Sequence, residues 1–303
     1  PPQGDPGRSG AWPLTRASLI FAALLALLLP LSLLAGRVWI APWADGPANS
    51  ALILGELRLP RAVLAIIIGA GLGAAGAAMQ GYLRNPLADP GLFGIAPMAA
   101  LGAVASFWLG SSIPAAFAGW SLPVMALAGA GLGMALLALI AGRTSSDGAG
   151  GAGGGIALFT LAGLMLASLA GALTALAITL APNPFALSEI VLWLNGALTD
   201  RSWREVALAA PLTAAGIAVL ALAARSLDAL TLGEAAARSM GVEPKRLLAL
   251  LVVGIGLTVG AGVAVAGIIG FVGLVVPHLV RPFTNRLPSS LILPSALAGA
   301  CLV

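Results

Sequence analysis

The sequence has little charge and almost no cysteine or histidine. Only 9% of its 303 residues are Asp, Glu, Lys or Arg, against about 25% in soluble domains. The lone Cys301 excludes an internal disulfide bond. One cysteine and one histidine are also too few for a zinc site made only of protein side chains. Both a disulfide framework and a zinc site of this kind are therefore excluded.

Aromatic residues are scarce as well, at 5%, whereas 59% of the residues are hydrophobic and the mean hydropathy is +1.03. Soluble domains are about 45–50% apolar, so these values indicate a membrane protein. A β-barrel would show alternating ten-residue segments rich in aromatics, which this sequence lacks. Abundant Gly and Ala suit helices that pack closely in lipid. The sequence therefore predicts an all-α polytopic membrane protein with a single transmembrane domain, residues 1–303.

Long apolar runs predict the membrane-spanning helices, each of which needs about 20 mostly apolar residues. A shorter apolar piece follows them at 268–280, and another run begins at Leu291. The predicted spans cover 17–36, 62–82, 92–110, 115–141, 156–180, 205–224 and 247–267. The last run stops at Val303 and the chain begins without Met, so we expect the sequence to be truncated, at least at its C-terminus.

The basic residues predict the orientation. Alternating the spans from a cytoplasmic N-terminus, with 268–280 as a short crossing, places ten basic residues inside and five outside, as the positive-inside rule requires. The inner ones are Arg8, Arg16, Arg84, Arg143, Arg225, Arg238, Lys245, Arg246, Arg281 and Arg286; the outer ones are Arg37, Arg58, Arg61, Arg201 and Arg204. The net charge of +4 is then explained by arginines placed at the membrane surfaces and not by nucleic-acid binding. In this orientation, residues 1–16 are predicted to form a flexible cytoplasmic N-terminus.

The only Asp, Glu or Lys inside the predicted spans is Glu205, the first residue of 205–224. Carriers driven by ion gradients usually keep ionisable groups at membrane depth, and intramembrane magnesium chemistry needs clustered acids. The chain also lacks G-x-x-x-x-G-K-[ST], so it cannot hold ATP phosphates itself. Uphill transport would need energy from another protein. A secondary transporter or channel without an ATPase partner is the alternative.

One glycine pattern matches the motif of a dinucleotide-binding site. Gly71, Gly73 and Gly76 match G-x-G-x-x-G, and Asp89 follows at the expected distance. However, the helical pattern continues on both sides of these glycines, and Asp89 lies in a turn. Small-x-x-x-small helix packing explains the glycines better, with one face at Gly69/Gly73. A second face is predicted at Gly129/Gly133.

The polar turns carry candidate functional residues. In LRLPR, Arg58 and Arg61 lie at the outer mouth of a helix, where they either snorkel to lipid phosphates or bind carboxylates of an external protein. RNPLADPG, from Arg84 to Gly91, is a rigid cytoplasmic turn. Residues 142–155 form a Gly-rich cytoplasmic loop that alone resembles a linker. The segment Gly267–Phe283 combines glycine breaks with Pro277, His278 and Arg281, and the lone histidine is best interpreted as a structural donor.

Five motifs occur in series: RLPR, GAAMQGYLRNPLADPGLFGI, EIVLWLNGAL, LGEAAARSMGV and GIIGFVGLVVPHLVR. Together they strongly resemble the permease subunits of type II ABC importers, the FecCD-like family for iron-siderophores, haem and cobalamin. The resemblance runs from about Leu52 to the C-terminus. It implies the ten-helix fold of that family, with about eight to nine helices present here.

The resemblance also implies partners. The chain would pair with a second permease subunit, as a homodimer, in the bacterial inner membrane. Two cytoplasmic ATPases would hold ATP and Mg²⁺, while this chain would bind no cofactor and would not itself be an enzyme. A periplasmic or lipid-anchored binding protein would deliver an iron-siderophore complex, haem or cobalamin.

The family's functional residues map onto this sequence by motif. Arg58 and Arg61 would dock the binding protein, and Asn85, Leu87, Thr144 and Ser145 would form the cytoplasmic gate. Pro86, Gly273, Pro277, His278 and Arg281 are the residues of the structural motifs. The ATPase-coupling residues would be Gly233, Glu234, Ala235, Ala236, Arg238 and Gly241.

Residues 232–247 correspond to the family's cytoplasmic coupling helices. Gly241 would supply the tight turn between two short helices, since glycine readily takes a positive φ. Glu234 and Arg238, four residues apart, would brace the first helix. Pro244 fits the first turn of the next helix. An ordinary solvated loop is the alternative interpretation.

Overall fold

The computed structural model describes residues 16–36, 50–109, 114–144, 154–181 and 183–303, and within these ranges it is helical without a strand. The fold class predicted from the sequence is confirmed. The α-helices are α1 (Arg16–Leu34), α2 (Ser50–Leu52), α3 (Leu59–Leu83), α4 (Ile95–Leu109), α5 (Ala115–Thr144), α6 (Gly154–Thr179), α7 (Pro184–Leu194), α8 (Trp203–Leu230), α9 (Glu234–Ser239), α10 (Pro244–Ala266), α11 (Val272–Val280) and α12 (Pro288–Leu302). A π-helical stretch, Ile53–Arg58, joins α2 to α3, and 3₁₀ turns lie at Pro90–Phe93 and Arg281–Phe283.

Six helices of the described residues are long and apolar enough to cross a membrane: Arg16–Leu34, Ser50–Leu83, Gly119–Ile140, Ile156–Thr179, Trp203–Leu230 and Pro244–Ala266. Each coincides with a predicted span. The span predicted at 92–110 is shorter, because Gly94 takes a φ of 71° and separates the 3₁₀ turn from α4. The N-terminal segment predicted to be flexible lies outside the described residues up to position 15.

Helix α3 lies at the centre of the fold, against α8, α10, α11 and α12. A Cβ added at Gly69 would collide with the backbone of Gly299, and one at Gly73 would collide with that of Ser295, both on α12. Residues 66–76, the candidate dinucleotide motif, lie inside α3. The small-residue packing face is therefore confirmed, and the dinucleotide interpretation is excluded by the continuous helix.

The second predicted packing face is also confirmed. A Cβ at Gly129 on α5 would collide with the carbonyl oxygen of Met98 on α4, and one at Gly133 would lie 3.1 Å from the Met98 side chain. Gly102 on α4 fits in turn against the Cα of Gly129. Close backbone approach through glycine therefore joins α4 to α5 as it joins α3 to α12, which suits helices that associate in lipid.

Helix α7 has no counterpart among the predicted spans. Asn183 begins it by accepting a hydrogen bond from the Ala186 amide at 2.9 Å, and Pro184 occupies its first turn. With 11 residues it is too short for a hydropathy window of spanning length. Its C-terminal turn meets the end of α10, where the Ala197 amide donates to the Ala266 carbonyl at 2.8 Å.

The predicted crossing at 268–280 needs correction. Helix α10 ends at Gly267, which has a φ of 75°, and α11 begins only at Val272 after Phe271 with a φ of 65°. The residues between the two helices are irregular. A Cβ at Gly267 would collide with the Trp193 carbonyl oxygen, so α7 packs directly against this break.

The long helices extend beyond the predicted spans and include acids at their ends. Glu56 lies in the π-helical stretch, and Glu205 forms a capping box with Ser202 at the start of α8. Asp228, near the end of α8, accepts a hydrogen bond from the Ser289 amide at 2.8 Å. Among the described long helices, the acids therefore lie near helix ends.

Candidate coupling and gating site

Helix α9 is a short helix between α8 and α10, and a glycine lies on each side of it. Gly233 before it has a φ of 102°, and Gly241 after it has a φ of 86°. The Val242 amide donates to the Ala237 carbonyl at 3.0 Å and the Gly241 amide to the Arg238 carbonyl at 2.9 Å. This pair of bonds is the Schellman motif, which requires a left-handed residue at the Gly241 position.

The prediction of two short helices is wrong in one respect. Pro244 does occupy a first helical turn, but the helix it begins is α10, which continues to Ala266. Only α9 is a separate short helix. No helix-breaking residue follows Pro244 in the charged residues before the apolar span, so the helix continues directly into that span.

The surface of α9 is small and partly apolar. Ala235, Arg238 and Gly241 are exposed, whereas Ala237 is buried and anchors the helix to the core. Leu232 and Met240 flank α9 with 67% and 62% of their surfaces exposed. Gly233, Glu234 and Ala236 are half-buried. The sequence analysis did not identify Leu232 and Met240 as candidate contact residues. Their occurrence as exposed apolar residues in the most charged segment is the feature that could have identified them.

The turn after α3 exposes the side chain of Leu87. Arg84 ends α3 with a φ of 51°. Asn85 Oδ1 then accepts a hydrogen bond from the Leu87 amide at 3.0 Å, and the Ala88 amide donates to the Asn85 carbonyl at 3.1 Å. Leu87 is 67% exposed. Asn85 thus shapes a turn whose apolar tip, Leu87, can meet another chain.

Asp89 follows this turn at the wall of a cavity. Its Oδ1 accepts a hydrogen bond from the Gly91 amide at 2.7 Å. Burial raises the pKa of the Asp89 carboxyl, and the bond from Gly91 opposes part of that rise. The cavity is partly open, and its empty space, open solvent included, is about 480 Å³. Its lining includes Ile68, Leu72, Asp89, Val263, Ile268 and Gly270.

The second predicted gate element is only partly described. Thr144 is the last residue of α5, while Ser145 lies outside the described residues. Most of the Gly-rich loop after it, 145–153, lies outside them too. The gate assignment of Thr144 and Ser145 stays a prediction.

The motif residues of α11 differ in exposure: Pro277 is buried and His278 is exposed, and a Cβ at Gly273 would collide with Pro90. Pro86, in the turn after α3, is also exposed. The role of His278 as a structural donor stays a prediction.

Arg281 reaches back to α3 through Gln80, a residue that sequence reasoning missed. Gln80 is only 3% exposed. Its Nε2 donates to the Leu274 carbonyl at 3.0 Å, and its Oε1 accepts from Arg281 Nη2 at 2.7 Å. A lone amide on the glycine-rich face of α3 was the signal that could have identified it.

The two outer arginines differ in their surroundings. Arg58 Nη1 donates to the carbonyl oxygens of Leu33 at 2.8 Å and Leu34 at 3.0 Å, so this side chain satisfies the C-terminal carbonyls of α1. Arg61 is exposed. The structure therefore gives Arg58 an internal partner and leaves Arg61 on the outer surface.

Among the described residues, no group of three or more His, Cys, Asp or Glu side chains could hold a metal ion.

The sequence profile of the FecCD transport family matches residues 19–303. The chain belongs to this family. The vitamin B12 import system permease protein BtuC of Salmonella paratyphi A is 35% identical over 294 residues, 97% of this chain and 84% of the relative. The Fe(3+)-citrate import system permease protein YfmE of Bacillus subtilis is 34% identical over 295 residues, 95% of this chain and 84% of the relative.

An uncharacterised ABC transporter permease of Bacillus subtilis, YvrB, is 37% identical over 257 residues, 85% of this chain and 70% of the relative. A solved structure described as an inward-facing conformation of a metal-chelate type ABC transporter superimposes with a TM-score of 0.82 at 27% identity, covering 94% of this chain and 87% of the other. The resemblance inferred from the five motifs is confirmed.

The FecCD chain is therefore the multi-pass membrane permease subunit of an ABC importer of the metal-chelate, vitamin B12 and Fe-citrate type. A permease subunit is not itself an enzyme, since the ATPase of such importers is a separate chain. Importers of this family work in general with ATPase and substrate-binding partners and with paired permeases.

Proposed function

We propose that this chain imports an iron-siderophore complex across the bacterial inner membrane, as one half of a permease homodimer with two cytoplasmic ATPases and an external binding protein. Haem and cobalamin are the competing cargoes. The observation that carries the proposal is α9. It is a short helix held between two positive-φ glycines, with apolar residues exposed outside any spanning helix.

Coupling to the ATPases is assigned to the surface of α9. Ala235 and Arg238 are exposed, so a partner's groove can approach the helix backbone closely. Leu232 and Met240 add apolar area, which marks a protein-protein contact when it lies exposed on a soluble-facing surface. Gly233, Glu234, Ala236 and Gly241 set the position of the helix.

Docking of the binding protein is assigned first to Arg61. This side chain is exposed at the outer end of α3, and guanidinium groups bind carboxylates bidentately. Arg58 contributes indirectly, because its guanidinium fixes the end of α1 beside the docking surface.

The cytoplasmic gate is assigned to Leu87, supported by Asn85, and to Thr144 and Ser145. An exposed leucine at the tip of a rigid turn suits a hydrophobic closure against the second permease subunit. ATP-driven movement of α9 would open and close this constriction.

Nothing favours a secondary transporter or channel. Ion-coupled carriers usually place ionisable groups at membrane depth, whereas the acids of the described long helices lie at helix ends.

The test reconstitutes the chain with its ATPases and binding protein in proteoliposomes and measures ATP hydrolysis and uptake with ferric siderophores, haem and cobalamin. We expect an iron-siderophore to stimulate both. Stimulation by cobalamin alone or by haem alone would identify that compound as the substrate in place of an iron-siderophore. Uptake without ATP would overturn the proposal.

A further inference from the structure

Three partly exposed tryptophan side chains lie at the ends of membrane-spanning or apolar helices. Trp108 is near the end of α4, Trp120 near the start of α5 and Trp203 at the start of α8. They are 38%, 41% and 41% exposed, respectively. Tryptophan collects where a helix leaves the hydrocarbon core of a membrane, because its ring is apolar and its N–H group is polar. These helix ends therefore mark a membrane interface.

Arg204 packs on one of these tryptophans and joins α8 to α5. Its Cζ lies 3.7 Å from the centroid of the Trp120 ring, which is a cation–π contact. A Cβ added at Gly119 would lie 2.7 Å from Arg204 Nη1. The spanning parts of α5 and α8 begin at Gly119 and Trp203, so the contact lies in the first turn of both spans. We name Arg204 and Trp120 the interfacial pair.

The guanidinium group of the interfacial pair lacks an acceptor. Arg204 Nη2 is buried and has no hydrogen-bond partner among the described residues, while the side chain as a whole is half-buried. The next acid, Glu205, is engaged at the helix cap, where its Oε2 accepts from the amide and the hydroxyl of Ser202, each at 2.7 Å. A donor without an acceptor costs free energy. Binding of an acceptor from outside the chain is therefore favourable.

An exposed apolar stripe runs along α5 from the interfacial pair. Its members are three or four residues apart and so share one face of the helix. The stripe residues are Val124, Ala128, Leu132, Ala135 and Leu139. All of them lie within the spanning part of α5, Gly119–Ile140. The stripe thus offers a hydrocarbon chain an apolar surface that begins beside a positive charge.

We propose that the interfacial pair and the stripe bind one phospholipid, whose phosphate accepts hydrogen bonds from Arg204 and whose acyl chain lies along the stripe. Guanidinium groups match the geometry of phosphate oxygens. The Trp120 ring lies at the level where a headgroup meets the hydrocarbon. This inference goes beyond the proposed function, because it depends neither on the cargo nor on the ATPases.

The test measures lipid binding to the purified permease in detergent by native mass spectrometry. The probes are dioctanoyl phosphatidylglycerol, dioctanoylglycerol, which has the same chains but no phosphate, and inorganic phosphate. We expect the wild-type permease to bind the phospholipid more tightly than either of the other two probes. Equal affinity for the two lipids, or tighter binding of inorganic phosphate, would overturn the inference without the need for a variant.

Variants of the interfacial pair locate the site. Arg204→Gln should raise the apparent Kd of dioctanoyl phosphatidylglycerol about tenfold, the change expected for one lost hydrogen bond from a charged group. Trp120→Leu should raise it in the same direction, and Arg204→Lys should lose less because it keeps the charge. Arg201→Gln is the matched control, since it removes the same charge at the same end of α8 but leaves the cation–π contact in place. It should leave the Kd unchanged.

Two other occupants of this surface are separated by the same variants. Unchanged phospholipid binding in Arg204→Gln would overturn the inference. If that variant instead weakens docking of the external binding protein, measured by titration, the interfacial pair contacts that protein and not a lipid. If it instead dissociates two copies of the permease in size-exclusion chromatography, the pair belongs to the interface between subunits.

Discussion

Arg281 donates a hydrogen bond to Gln80 at 2.7 Å and thereby ties the C-terminal end of α11 to the central helix. Gln80 completes the tie by donating to the Leu274 carbonyl. The bonds join segments about two hundred positions apart in the chain, at the level of the predicted gate. Helices α3 and α11 are therefore expected to move as one body during transport.

Replacing Gln80 with leucine should destabilise the permease. The change leaves a buried carbonyl and a guanidinium without their partner, which costs about 1–3 kcal/mol. Thermal unfolding in detergent, followed by tryptophan fluorescence, measures the loss. Gln80→Glu keeps an acceptor for Arg281 and should lose less. Equal midpoints for wild type and Gln80→Leu would show that the tie contributes nothing.

A methyl group at Gly76 should disrupt the junction of α3 with α11. A Cβ there would collide with the backbone of Gly273, and backbone cannot yield as a flexible side chain does. We expect Gly76→Ala to lower the yield of folded, monodisperse permease strongly.

Gly131→Ala is the control for Gly76→Ala, because a Cβ at Gly131 meets nothing within 4 Å. Alanine within a helix is favoured over glycine by about 1 kcal/mol, so this control should be neutral or stabilising. Similar behaviour of the two variants in size-exclusion chromatography would contradict the packing account.

Valine at Gly241 should weaken the contact with the ATPase. The φ of 86° strains a β-branched residue by about 1–3 kcal/mol, so α9 would change its position. Copurification of the ATPase and its stimulation by loaded binding protein both report the effect. Gly241→Asn should retain more coupling, since asparagine tolerates left-handed backbone. Full coupling in Gly241→Val would refute the role of the turn.

Charge reversal at the two outer arginines should give different defects. Arg61→Glu is expected to weaken binding-protein docking, more so at low salt, because screening removes exposed charge interactions. Arg58→Glu should chiefly lower the thermal midpoint, since it removes the bonds to Leu33 and Leu34. Titration of the binding protein at two salt concentrations separates them. Unchanged affinity of Arg61→Glu at low salt would exclude docking there.

Local patterns in the sequence predicted much of this architecture. The spacing of Gly69/Gly73 and Gly129/Gly133 predicts which helix faces are small, since that depends only on helical periodicity. The identity of the opposing helices was not predictable, because α12 and α4 are brought there by the whole fold.

Short and irregular elements were harder to predict. Helix α7 is shorter than a spanning window, so hydropathy overlooks it despite a good capping residue in Asn183. The internal role of Arg58 was also hidden, since its partners are carbonyl oxygens 24 and 25 positions earlier, and backbone acceptors leave no mark in a sequence.

The most direct test of the coupling assignment is cysteine cross-linking between α9 and the ATPase in native membranes. Cys301 is the only cysteine, so Cys301→Ser gives a background for Met240→Cys on the α9 surface and Ser202→Cys at the opposite end of α8. Both positions are exposed. The account predicts a cross-link to the ATPase from Met240→Cys, changing with nucleotide, and none from Ser202→Cys. Absence of the Met240→Cys cross-link, or equal cross-linking at both positions, would contradict it.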